Sequence, residues 1–386
     1  MKEAVKKSPK RRIVLAGGGT GGHFYPLFAV AVELQILAAR GKRELDIYYV
    51  GSAPDDYLAK FEANNIMIRR TVSSRPRKSF DPASIWEWLK FSFAVIQSLW
   101  HLFWIMPDAI FSKGGPGALA VVFAAAFYRI PISIHESDSI PGITNLFSGR
   151  FSRLIFLAFG EAGEYFPRKK EKTAVGNPIR RYLISEIPDS AAAKKFLGFD
   201  PEMPLIFVLG GSQGATRINS AIASGLKDFL EFSQVLHQVG RNNYSVFEKE
   251  AGEALSFVPE WNREKYVFVD YFDDEIKEAL AASDLIVSRA GSAIFEIAAF
   301  GKPSILIPLP ESAGGHQQKN AEIYAATGAG EILTDADIAE GKLVSRCREI
   351  LTNEELRREM SEKARDFAKP AAASIIAQKI LELADD

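Results

Sequence analysis

Cysteine is nearly absent from this chain. One residue, Cys347, in 386 leaves no partner for an internal disulfide and no basis for a multi-cysteine metal site. A reducing compartment is the simplest setting. An excess of either charge is also missing, with 47 Lys and Arg against 48 Asp and Glu. Nucleic-acid domains usually carry a basic excess, so nucleic acid is not expected as a partner, although a local basic patch stays open. A clean membrane-length apolar run is lacking too. The most apolar stretch, Leu89 to Met106, is broken by Gln97 and His101, carries Lys90 and is stopped by Pro107. It reads as a buried or interfacial helix, and from Leu89 onward as core of the first domain. The first twelve residues hold Lys2, Lys6, Lys7, Lys10, Arg11 and Arg12 against Glu3, yet Ile13 to Ala16 run straight into glycines. No secretory apolar region follows, and this segment reads as a solubilising tail.

What is present is the balance of a soluble globular protein, 47% apolar and 25% charged, over a length that suits two domains. Apolar runs alternate with helical stretches, which predicts an α/β protein with mainly parallel sheets. Arg12 to Ala16 reads as a strand feeding Gly17-Gly18-Gly19-Thr20-Gly21-Gly22-His23, then a helix to Arg40 stopped by Gly41, then a strand Asp46 to Val50. The same grammar restarts at Pro204 to Leu209, followed by Gly210-Gly211-Ser212-Gln213-Gly214 and a helix. A strand, a glycine turn and a helix open a doubly wound fold, so two Rossmann-like domains are expected. Asn177-Pro178 marks the junction. The expected division is 1–177, 178–368 and a terminal helix, 369–386, packing back on the first domain.

Gly17, Gly19 and Gly22 satisfy G-x-G-x-x-G, the dinucleotide fingerprint. A dinucleotide site also wants an acid at the end of the second strand to hold a ribose, and Tyr48-Tyr49-Val50-Gly51-Ser52 supplies none before Asp55. A dehydrogenase is therefore disfavoured. What remains is a loop of backbone N–H groups at a helix N-terminus, suited to a phosphate or a bulky polar substrate. His23 closes that loop. With an ordinary pKa near 6.5, lowered by a helix N-terminus, it is a candidate general base or else a capping residue. In the second half, Ser288-Arg289-Ala290-Gly291-Ser292 lead from a strand into a helix bearing Glu296, which could accept from a ribose diol. After another strand come Gly314-Gly315-His316-Gln317-Gln318-Lys319-Asn320. Side-chain amides both donate and accept, as sugar hydroxyls require. Together these favour a nucleotide-sugar site.

The ordered set Gly-Gly-Thr-Gly-Gly-His, His135-Glu136, Gly176-Asn177-Pro178-Ile179-Arg180, Gly210-Gly211-Ser212-Gln213-Gly214, Arg289-Ala290-Gly291 and His316-Gln317 to Asn320-Ala321 resembles the MurG family. Its members are N-acetylglucosaminyltransferases that convert lipid I to lipid II in peptidoglycan synthesis. The resemblance runs from about Arg12 to beyond Ala321 and implies the GT-B fold, two Rossmann-like domains facing across a cleft. It implies UDP-GlcNAc as donor and lipid I as acceptor, with no cofactor. Thr20, Gly21 and Gly22 would lie at the donor sugar, Arg180 and Ser212 at the UDP portion, the backbone of Phe272 at uracil, Glu296 at the ribose and Gln317 at the GlcNAc hydroxyls. Gln318, Asn320 and Ser292 belong to the same donor set. The family commonly reads His-Glu-Gln-Asn where this chain has His135-Glu136-Ser137-Asp138, so Asp138 keeps an acceptor at the donor sugar and adds a second candidate base beside His23. The loop from Arg289 to Glu296 is one residue shorter than is usual in the family.

Departure of UDP builds negative charge on a diphosphate. The only Asp-x-Asp triplet, Asp335-Ala336-Asp337, precedes a helical stretch and reads as capping acids rather than metal ligands. Metal-independent inverting transfer is expected, with helix N-termini, loop amides and Arg180 stabilising the leaving group. A lipid-linked acceptor requires a route to the membrane. Arg69, Arg70, Arg75, Arg77 and Lys78, followed by Phe80, Ile85, Trp86 and Trp88, read as an interfacial patch for anionic lipid. That implies a peripheral enzyme on the cytoplasmic face of the bacterial cell membrane. The rivals are another GT-B UDP-sugar transferase with a different lipid acceptor, a UDP-GlcNAc epimerase, and a non-catalytic nucleotide-binding module.

Overall fold

The computed structural model describes residues 10–73, 82–115, 117–210 and 216–386. It divides into two compact units, Met1–Arg181 with Pro370–Asp386, and Tyr182–Lys369.

The first unit holds a seven-stranded sheet of β1 (Arg11–Gly17), β2 (Leu45–Gly51), β3 (Met67–Arg70), β4 (Ala109–Gly114), β5 (Ile132–Glu136), β6 (Leu154–Leu157) and β7 (Glu171–Ala174). Every pairing is parallel and the order is β3-β2-β1-β4-β5-β6-β7. Central parallel strands are covered on both faces, which is why Ile13-Val14-Leu15-Ala16 can be apolar without alternation, and all four are fully buried. The order reverses direction between β1 and β4, so loops leaving the carboxyl ends of these two strands diverge and open a crevice.

The helix Gly21–Arg40 begins with extended Thr20 as its N-cap and ends with Arg40 in its last turn, complementing the helix dipole. It is the one described helix long and apolar enough to cross a membrane. Leu27, Val30, Ala31 and Leu34 are nevertheless fully buried against the sheet, as in a core helix. After Pro370 the helix Ala372–Asp385 returns to this unit and buries Ile376, Ala377, Ile380 and Leu383 in the same core as Ile13 and Phe24. Its end is pinned by Asp385 to Arg11 (3.1 Å) and Arg43 (2.6 Å), and by Asp386 to Arg153 (2.8 Å).

The stretch expected to be core from Leu89 onward is not simply core. It belongs to one helix, Pro82–Ile105, whose apolar side chains fall on two faces. Phe91, Ala94, Leu102 and Ile105 are buried, whereas Trp86, Leu89, Phe93, Ile96, Trp100, Phe103 and Trp104 are more than half exposed. From Trp86 to Phe103 the exposed residues recur at steps of three and four, as a helical period requires.

The second unit repeats the plan with β8 (Leu205–Leu209), β9 (Gln234–Gln238), β10 (Tyr266–Val269), β11 (Leu285–Ser288), β12 (Ser304–Leu306) and β13 (Gly330–Ile332). These strands are also all parallel, in the order β10-β9-β8-β11-β12-β13, with the reversal between β8 and β11. The Asp335 and Asp337 carboxylates serve the fold. Asp337 closes a capping box with Thr334 at the start of the helix Asp335–Ala339, and Asp335 pairs with Arg217 at 2.7 Å.

Candidate active site

At the reversal point of the first unit, the glycine loop leaves β1 and a Gly114-Gly115 turn leaves β4. Gly18 has φ +129°, and a Cβ there would lie 2.6 Å from the Tyr49 hydroxyl. Tyr49 is buried and donates to the Gly17 carbonyl at 2.5 Å, bracing the loop from beneath. Gly115 has φ +87°, and a Cβ there would meet the Gly18 carbonyl at 3.0 Å and the His23 ring at about 3.4 Å. Only glycine lets the two turns come this close.

His23 sits in the first turn of the helix Gly21–Arg40, half-buried, with Nδ1 2.9 Å from the Thr20 hydroxyl. Its Nε2 lies on the Gly115 side. Burial pushes its pKa down to about 4, with the Lys113 ammonium the next cause and Asp138 opposing. The ring is neutral at pH 7, the form that accepts a proton.

Lys113, at the end of β4, is 2% exposed. Its Nζ donates to the Ser137 hydroxyl, and Ser137 donates to Asn177 Oδ1 at 3.2 Å. Burial pushes the lysine down to about 8, against the pull of Glu136 and Asp138. Glu136, at the end of β5, accepts from the backbone N–H groups of Asp138 (3.0 Å) and Gly142 (3.2 Å) and from Asn145 Nδ2 (3.0 Å). This buried carboxylate shapes the loop that carries half-buried Asp138. His135 Nε2–H donates to the Gly176 carbonyl at 2.9 Å, linking that loop to the Gly176-Asn177-Pro178 segment. Arg180 is also buried here, its guanidinium 4.0 Å from the centre of the Tyr25 ring. Thr20, Gly21, Gly22, His23, Asp138 and Arg180 thus all belong to this unit. Lys113, Ser137, Asn177 and Tyr49 were not singled out from sequence. The signal for Lys113 was a lysine ending an apolar strand immediately before Gly-Gly.

In the second unit the loops leave β8, β9, β11 and β12. Ser212 lies outside the described residues, as do Arg75, Arg77, Lys78 and Phe80. Ser292 is the N-cap of the helix Ala293–Ala299, and Glu296 sits in that helix's first turn, half-buried. Gln317 Oε1 accepts from the Leu309 N–H at 3.0 Å, so this amide sets the loop after β12. Asn320 is fully buried and donates to the Ala290 carbonyl at 3.1 Å, tying the helix His316–Ala326 to the loop after β11. Gln318 is exposed and bonds Glu322. The Phe272 N–H donates to Gln238 Oε1 at 3.0 Å, so that backbone donor is committed within the unit. Gln238, a polar residue ending the buried strand β9, was not anticipated.

Residues 13–157 match the glycosyltransferase family 28 N-terminal domain, and residues 205–378 match the glycosyltransferase family 28 C-terminal domain. A Bacillus cereus protein named UDP-N-acetylglucosamine--N-acetylmuramyl-(pentapeptide) pyrophosphoryl-undecaprenol N-acetylglucosamine transferase 2 is 32% identical over 348 residues, covering 90% of this chain and 93% of its own. The transferase of the same name without the number, from Moorella thermoacetica, is 30% identical and covers 96% and 98%.

The chain belongs to the MurG branch of glycosyltransferase family 28.

Among solved structures, Acinetobacter baumannii MurG superposes with a TM-score of 0.70 at 23% identity, over 97% of this chain and 100% of that one. The UDP-GlcNAc 2-epimerase of Neisseria meningitidis gives 0.67 at 14% identity, over 96% and 100%. Backbone likeness alone therefore does not separate MurG proteins from epimerases. Sequence identity spread across both units of this MurG-branch chain does.

Proposed function

We infer that the chain transfers GlcNAc from UDP-GlcNAc to the C4 hydroxyl of MurNAc in lipid I, giving lipid II. The observation that carries this is identity of about a third with a transferase of that name over nine-tenths of both chains. The geometry of the first unit supplies the chemistry. The acceptor oxygen attacks the anomeric carbon, the bond from that carbon to the UDP oxygen breaks with inversion, and the acceptor's proton goes to His23 Nε2. Thr20 orients the ring by accepting from Nδ1–H, the base-and-orienter arrangement that general-base catalysis requires. Asp138, on the adjacent loop, is the alternative base. Loop N–H groups at the start of the helix Gly21–Arg40, with Arg180, meet the charge that develops on the diphosphate. Asp335 and Asp337 are engaged in the capping box and the Arg217 pair, which supports metal-independent departure.

Donor recognition belongs to the second unit through Glu296, Gln317 and the loop of Ser292. Acceptor recognition belongs to the first. Membrane access is assigned to the solvent-facing side of the helix Pro82–Ile105, where Trp86 (60% exposed) and Trp100 (62%) bracket a continuous apolar strip. Such a face inserts shallowly into a bilayer interface, and cations beside it add about 1 kcal/mol each on anionic lipid. The exposed strip supports a peripheral station on the cytoplasmic face of the cell membrane.

One assay tests the reading: transfer of labelled GlcNAc to a soluble lipid I analogue with and without EDTA, then to full lipid I in vesicles with and without anionic lipid. Chelator-resistant product, and faster turnover on anionic vesicles, are the expected results. Binding of UDP-GlcNAc without product would remove the acceptor assignment, and equal rates on both vesicle types would remove the membrane assignment.

A further inference from the structure

A buried lysine is costly: desolvating an ammonium takes several kcal/mol that a neutral side chain of similar length would not lose. Lys113 sits fully inside the first unit, and the structure surrounds it with more than one compensating group. Ser137 accepts from Nζ, Asn177 receives the Ser137 proton, and the carboxylates of Glu136 and Asp138 act on it from the end of β5. Neutralising Glu136 would be reason enough for a cation. Two features of the geometry connect it to the reacting group. Lys113 directly precedes the Gly114-Gly115 turn, and that turn packs against the His23 ring. The lysine's charge is second to burial among the causes that hold the imidazole's pKa down.

We propose that Lys113 is a positioning residue for the transfer, whose buried ammonium, tethered through Ser137 to Asn177, adds to burial in keeping the His23 imidazole neutral and able to take the acceptor's proton. The inference rests on His23 being the base.

Among the described residues, the groups facing His23 come from three elements. Thr20 bonds Nδ1 from the helix's own N-cap. Lys113 and Gly115 approach from β4 and its turn, and Asp138 acts from the loop after β5. Lys113 disfavours the imidazolium and Asp138 favours it, so the two act in opposite directions on one ring. His135, also buried, feels the same ammonium, and its Nε2–H is committed to Gly176. A lysine with a purely packing role would leave the titration of His23 untouched when replaced.

The test uses the full chain with carbon-13-labelled histidine, the His23 signal being identified by its loss in His23→Gln. Ring titration and the pH profile of transfer, with UDP-GlcNAc and a soluble lipid I analogue, are measured side by side. In Lys113→Gln, which keeps a donor for Ser137, the His23 midpoint should rise by about 1 pH unit or more, and the acidic limb of the rate should rise with it. Lys113→Arg should restore the wild-type midpoint. An unmoved midpoint in folded Lys113→Gln overturns the proposal. A raised midpoint that the rate does not follow keeps the action of Lys113 on the ring but removes His23 as the base, so the two failures are distinct. Should Lys113→Gln not fold, Lys113→Met removes the same charge, and a His23 midpoint that stays at the wild-type value in the folded variant overturns the proposal.

Discussion

At the reversal point of the first sheet, the side chains packed behind the loops are titratable: His23, His135 and Glu136 each feel the buried Lys113 ammonium. In the second sheet, the side chains that hold the loops at the carboxyl ends of the strands include the amides Gln238, Gln317 and Asn320, while Glu296 stands in the first turn of the helix Ala293–Ala299. The backbones are alike, since both loops leave the carboxyl ends of parallel strands where the order turns. The difference separates two tasks. Amides do not change charge with pH, so they can hold loops around a neutral polyol and its nucleotide under any condition. A cluster of buried ionisable groups can shift the protonation of one member, which a proton transfer needs.

The largest expected effect breaks this contrast at its strongest side. His23→Ala should lower turnover by about 10²–10⁴-fold while leaving UDP-GlcNAc affinity and unfolding nearly unchanged. Steady-state kinetics with calorimetry decides it, and near-normal turnover would mean the titratable cluster is structural.

The second prediction sharpens the contrast by finding a buried histidine that is only structural. His237 lies in the core of the second unit between Tyr266 (2.9 Å) and Asn219 (3.1 Å), and burial pushes its pKa down to about 3. The unfolded imidazole takes a proton near pH 6.5, whereas the folded one resists until about 3. The unfolded state therefore binds more protons between those values, and stability falls as pH drops from 6.5 to 3. The loss should reach a few kcal/mol, since each pH unit is worth about 1.36 kcal/mol. Denaturant unfolding at several pH values should show this slope and its flattening in His237→Gln. Turnover per folded molecule should not follow.

The smallest effect comes from the amide side. Asn320→Ala leaves the Ala290 carbonyl without its buried donor, a cost of about 1–3 kcal/mol. Because the tie runs between two donor-side loops, the Michaelis constant for UDP-GlcNAc should rise with turnover at saturation retained. Loss of turnover without that rise would place Asn320 in the chemistry.

Much of the architecture was legible in one dimension. Ile13 to Ala16 and Leu205 to Leu209 announce buried parallel strands by unbroken apolarity, and the glycines after Ala16 announce close approach, because both signals arise from neighbours along the chain. The helix Pro82–Ile105 shows where such reading weakens. Its composition is apolar on every side, so the sequence alone did not reveal which face meets the sheet. The active site shows it again. His23 stood out as a histidine beside glycines, but Lys113 stood out only as a strand end; Ser137 lies 24 residues beyond it, and Asn177 a further 40 beyond Ser137.

By itself, then, the sequence determined two strand-glycine-helix openings, the family to which the chain belongs and the candidate base. These rest on local periodicity and on ordered motifs. Tertiary structure alone decided what state that base is in. A pKa depends on burial and on charges brought within a few ångströms by sheet order, and β1 and β4, which carry His23 and Lys113 to the same crevice, are adjacent in space with β2 and β3 between them in the chain.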